Sequence, residues 1–118
     1  MEKIPCICQM RELCKAISEL EDSLVDIYGI TLNEAMVMCC IGSENIAAGD
    51  ISQAIGMKSS HLSKVLRSIE EKGLITRAFG DKDKRQIYFS LTPEATSRLC
   101  TLKCDGIPIP DMLKTFFK

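Results

Sequence analysis

The 118-residue chain, 46% hydrophobic with a mean hydropathy of +0.07, holds enough apolar material for one compact core and too little length for two ordinary domains. It lacks both an apolar run of ~18 residues and the cleavable apolar stretch of a secretory signal, so a single-domain, cytoplasmic protein with no membrane partner is expected. The formal charge of -1 excludes a uniformly basic surface, but residues 1–56 hold three Lys/Arg against nine Asp/Glu while residues 57–88 hold eight against four. Such asymmetry fits one face that meets phosphate on an otherwise acidic molecule; a merely solvated charged hairpin is the plain alternative.

From Met10 to Tyr28, apolar residues fall at Met10, Leu13, Ile17, Leu20, Leu24 and Ile27, with Glu19, Glu21, Asp22 and Asp26 between them. This is the narrow, coiled-coil-like seam of an amphipathic helix, ended by Gly29. Thr31 followed by Glu34 makes a capping box ahead of Ala35–Ile41, an apolar helix expected to be buried. Residues 48–55 predict a short helix with Ile51, Ala54 and Ile55 inward, stopped by Gly56. A new period starts at Ser59 with Leu62, Val65, Leu66 and Ile69 inward and ends at Gly73. Two helices joined by so short a glycine-containing turn form a helix-turn-helix, whose second helix projects its outer face.

Residues 74–79 and 86–91 alternate with period two around the polar stretch 80–85, predicting a β-hairpin with a charged tip. Thr92-Pro93-Glu94 starts a last helix carrying Leu99, Cys100 and Leu102, which Gly106, Pro108 and Pro110 interrupt. Met112–Phe117 suggests one or two further helical turns. The fold class expected is mainly α with a small β-hairpin wing, a winged helix-turn-helix.

The run GDISQAIGMKSSHLSKVLRSIEEKGLITRAFGDKDKRQIYFSLTPEA, residues 49–95, resembles the MarR family of bacterial regulators. The resemblance lies in the helix-turn-helix spacing, the Glu70–Ile75 exit from the second helix, and Asp83-x-Arg85 followed by a strand and Leu91-Thr92-Pro93-Glu94. It spans roughly residues 10–104. It implies a homodimeric, sequence-specific binder of double-stranded DNA, a repressor with a small-molecule effector. Residues 10–28 and 92–117 would dimerise, 48–91 would form the DNA-binding core, and 58–72 would enter the major groove. It further assigns Ser60, His61, Ser63, Lys64 and Arg67 to the groove-facing surface and Arg85 to the wing, oriented by Asp83. His61 stands where the family more often has Thr, Ala95 where it often has Gly, and Ala47 occupies a capping position without a side-chain oxygen.

Arg and Lys suit guanine O6 and N7, and Ser hydroxyls suit phosphate or base edges. Lys64 and Arg67 are the first candidates, with ordinary exposed cations as the alternative. Lys82, Lys84 and Arg85 suit phosphate and the narrow, electronegative minor groove of A·T-rich DNA. Seven cysteines in an intracellular chain point to thiols rather than a disulfide framework. Cys100 and Cys104 share a helix face and would lie near Cys14 of the dimer region or offer two ligands to a metal, yet no closed zinc pattern is present. Small core residues and a redox or metal sensor both remain open for the cysteines. One His, no glycine-rich phosphate loop and no nucleophile with a base at recognisable spacing argue against an enzyme, and no cofactor is expected. A winged-helix module that binds protein would be distinguished by apolar residues on the outer face of 60–67, where this sequence has Ser, Lys and Arg.

Overall fold

Residues 1–79 and 86–117 are described by the computed structural model, and regular structure begins with helix α1, Cys8–Tyr28, two residues ahead of the expected start. Gly29 stops it at φ +70°, with its N–H on the Val25 carbonyl, in the left-handed conformation glycine enters most cheaply. Helix α2 (Leu32–Ile41) then opens with the expected capping box: the Glu34 amide donates to Thr31 Oγ1 at 3.1 Å and the Thr31 amide to Glu34 Oε1 at 2.8 Å.

A two-residue strand, β1 (Ile46–Ala47), precedes α3 (Ala48–Ile55), whose cap at Ala47 has no side-chain hydrogen bond. Helix α4 follows over Ser59–Glu71, then strands β2 (Ile75–Phe79) and β3 (Ile87–Leu91) of the wing, and α5 (Pro93–Asp105). A 3-10 segment at Asp111–Phe116 closes the fold where short helical turns were expected. The sheet order is β1-β3-β2, antiparallel throughout, with Ile46 opposite Phe89 and Arg77 opposite Phe89 on the other side. The third strand was not foreseen, because two residues carry no readable period.

Helix α2 is the hub. Its Val37 and Met38 have no exposed surface, and around them gather Ile51 of α3, Leu62, Leu66 and Ile69 of α4, Phe89 of β3, and Ala95 and Leu99 of α5. Truncating a residue as enclosed as Ile69 to Ala costs about 2–5 kcal/mol. Ala54 is exposed rather than inward, since the eight-residue α3 packs mainly through Ile51 and Ile55. The alternation expected of residues 74–79 is absent as burial: Leu74 and Ile75 are enclosed, while Thr76, Arg77, Ala78 and Phe79 are all exposed.

The single seam read along α1 divides in two. Leu20 and Leu24 are buried within the chain, and Leu20, with Ala16, packs on Leu113 beside Leu13, Ile107 and Ile109. Met10, Ile17 and Ile27 of the seam remain outside, 37–54% exposed, together with Val25, which the seam did not include. Leu24 joins the main core, while the C-terminal segment folds back and covers Leu20 and Ala16. No single described helix is long and apolar enough to cross a membrane.

Candidate nucleic-acid interface

The turn between α3 and α4 is fixed by its own backbone. Gly56 adopts φ +71°, its amide bonds Ser52 O at 2.9 Å, and the Ser52 hydroxyl donates to Met57 O. Helix α4 buries Leu62, Val65, Leu66 and Ile69 and turns Ser60, His61, Ser63, Lys64 and Arg67 outward, all five exposed. The outer face therefore carries the hydroxyl and cationic groups that the sequence placed there. Lys58, at the N-cap, is also exposed and was missed as a candidate. The helix start has no side-chain cap, so its first amides are available to an anion such as phosphate.

Among the described residues, Lys58, Lys64 and Arg67 form no ion pair, and their charge is open to a partner. Two other cations of the basic segment are committed within the chain. Arg77 grips Glu70 with both fork nitrogens, at 2.8 and 2.9 Å, and lies 5.6 Å from the Phe89 ring centre. Lys72 bonds Glu34 at 2.6 Å and the Gly29 carbonyl at 3.1 Å. Counting charges along the sequence overstated the free face by these two. Lys82, Asp83, Lys84 and Arg85, the expected wing contacts, lie outside the described residues.

Glu34 is the one buried charged residue among those described, 2% exposed. Burial pushes its carboxyl upward, but hydrogen bonds from Lys72, the Thr31 amide and Ser68, with the Lys72 charge, outweigh that and hold it below the usual glutamate value. No sequence motif announced this group beyond its place in the capping box. Its isolation in an apolar helix was the available signal.

The cysteines do not fill the core. Cys6, Cys8, Cys14, Cys39, Cys100 and Cys104 are exposed and Cys40 is half-buried, which corrects the core-packing reading. α2 turns Cys39 outward beside Met36, and α5 buries Ala95 and Leu99 instead. Among the described residues no three His, Cys, Asp or Glu side chains are grouped to hold a metal. A largely apolar cavity of about 370 Å³ lies between α1, α2 and the end of α5, lined by Leu20, Leu24, Leu32, Ala35 and Ile107 with Lys103 at its side.

The sequence model of the MarR family matches residues 30–87. No curated protein matches the chain at a significant level. Among solved structures, MepR of S. aureus in complex with DNA is similar at a TM-score of 0.76 and 18% identity, over 86% of this chain and 76% of that one. BldR, a transcriptional regulator of Sulfolobus solfataricus, is similar at 0.69 and 21%, over 85% and 76%. A mutant MarR of E. coli complexed with operator DNA is similar at 0.67 and 19%, over 80% and 71%. At these identities the likeness establishes a shared winged-helix fold.

Proposed function

We propose that this chain, which belongs to the MarR family through residues 30–87, is a homodimeric, sequence-specific binder of duplex DNA that represses transcription. The observation that carries the reading is the outer face of α4, where Ser60, His61, Ser63, Lys64 and Arg67 are exposed together and its two cations pair with no described carboxylate. Lys64 and Arg67 would meet base edges in the major groove, while Lys58 and the α4 amides would meet the flanking phosphates. Lys82, Lys84 and Arg85 would add wing contacts to backbone or minor groove. The DNA in the MepR and MarR complexes supports this reading by analogy of fold.

The dimer is supported by two features of the chain alone. Its radius of gyration, 16.3 Å, exceeds the ~13.5 Å of a compact chain of this length. The outer side of α1 and the C-terminal Phe116 and Phe117 leave apolar surface uncovered. Pairing through them would set two copies of α4 on one side of the dimer, spaced for successive major grooves. The cavity beside Leu24 and Leu32 is the seat for an apolar small-molecule effector. A thiol-responsive variant of the reading is favoured by the exposure of Cys14, Cys100 and Cys104.

The test is selection of duplexes from a random pool, followed by titration at several salt concentrations. Lys64→Ala or Arg67→Ala should relax preference at one operator position and cost about 1–3 kcal/mol. Arg85→Ala should weaken binding to most sequences and flatten the salt dependence by about one unit of slope. Failure of the wild type to enrich any sequence would refute the function.

A further inference from the structure

The apolar face of α4 holds the helix against the core through Leu62, Val65, Leu66 and Ile69. Their contacts are close-packed but non-directional, so the cost of a shift is spread over many weak atom pairs. The polar contacts at its far end are of another kind. Glu34 Oε2 accepts from the Ser68 hydroxyl at 2.7 Å, and Oε1 accepts from Lys72 Nζ at 2.6 Å and from the Thr31 amide at 2.8 Å. The same ammonium reaches the carbonyl of Gly29, which ends α1. Ser68 and Lys72 stand one turn apart, so both grips fall on one face at the C-terminal end of α4, and both converge on the corner where α1 hands over to α2.

A buried carboxylate that loses a partner carries a penalty concentrated at one site, which adds to the distributed cost of disturbing the apolar packing. Satisfying both oxygens of Glu34 at once, through Ser68 and Lys72, restricts the rotation and translation of α4. We propose that Glu34, through Ser68 and Lys72, is a positioning residue that sets the pose of α4 against the α1–α2 corner and so the sequence discrimination of its outer face. This rests on the reading of α4 as the DNA-contacting helix. It also accounts for Lys72, a cation of the basic segment that the fold spends internally.

Charge and position give opposite forecasts, which makes the inference testable. If the two residues acted on DNA through charge, removing the Glu34 anion would tighten binding and removing the Lys72 cation would loosen it. Acting through position, both losses degrade discrimination. The experiment compares full-length wild type, Glu34→Gln, Lys72→Met, the double variant and Lys72→Arg. Each is titrated against the duplex that wild type selects from a random pool and against its scrambled counterpart, well below every melting midpoint. We expect the ratio of specific to scrambled affinity to fall roughly tenfold in each single variant, as for one mis-set base contact, with the double no worse than the weaker single. The salt slope should stay unchanged, and Lys72→Arg, which still donates to Glu34, should keep the ratio.

Should Glu34→Gln fail to fold, Lys72→Met and Ser68→Ala carry the same comparison. Opposite shifts in the two single variants, or an unchanged ratio alongside a lowered melting midpoint, overturn the inference while leaving the DNA-binding function intact. A wild type that selects no duplex overturns both, and is recognised before any variant is made.

Discussion

Replacing Ile17 and Leu20 by glutamate in turn separates the two sides of α1, because these neighbours on one helix are expected to serve different partners. Leu20 is 6% exposed and packs on Leu113 of its own chain, whereas Ile17 is 37% exposed. The open part of an isoleucine at that exposure is on the order of 60 Å², worth about 1.5 kcal/mol per subunit on burial at ~25 cal/mol/Å². Two copies in a symmetric interface lose about 3 kcal/mol, and a carboxylate forced into the contact adds to the penalty. The dimer dissociation constant should therefore rise by on the order of a hundredfold or more. Sedimentation across a concentration series should show Ile17→Glu as a folded monomer with near-native circular dichroism. Leu20→Glu should instead lose its cooperative melt, since an enclosed leucine contributes about 2–5 kcal/mol against Ala alone. A wild type that is monomeric at tens of micromolar, or an Ile17→Glu dimer as tight as wild type, would refute the assignment of the outer face.

Acid stability is a second check. With the Glu34 carboxyl held below the ordinary glutamate value, its contribution is present above that value and lost as pH falls through the lowered folded-state value. Denaturant melts should show wild type and Glu34→Gln converging as the solution is made acidic, and parallel curves across that window would contradict the geometry. Thiol titration without denaturant should find six fast cysteines in the Ile17→Glu monomer, with Cys40 slow; any that fall silent in wild type lie in the interface, and fewer than six in the monomer would contradict the exposures. Thr92→Ala should lower stability by ~1 kcal/mol or more, because Thr92 Oγ1 accepts from the Ala95 amide and also donates to the Gly73 carbonyl. An unchanged melting midpoint would show that water replaces both bonds.

Much of the winged helix was legible because its signals are local. The Leu62, Val65, Leu66, Ile69 period, the Thr31–Glu34 box and the Thr92-Pro93 start each depend on residues within a few positions of one another, and each forms as read. What escaped depends on partners distant in sequence. Nothing near Leu20 announces that Leu113 will cover it, and nothing near Ile46 announces Phe89 as a strand neighbour. The candidate face shows the same division. Side-chain period placed Lys64 and Arg67 outside, but residue type alone could not tell them from Lys72 and Arg77, whose acids arrive from elsewhere in the fold.

The strand order has a consequence for solubility. β3 is paired on both sides, and β1, only two residues long, offers little edge to a stranger. Among the described strands this leaves β2 as the one edge long enough for another chain to add to, and edges of this kind seed aggregation. Its outermost residue, Phe79, is 67% exposed, which makes the edge more adhesive. Arg77 sits at the middle of the strand, tied back to Glu70 and lying over Phe89. A charged side chain at the middle of an edge strand disfavours addition of a like strand, so replacing Arg77 is expected to be felt first as turbidity at high concentration.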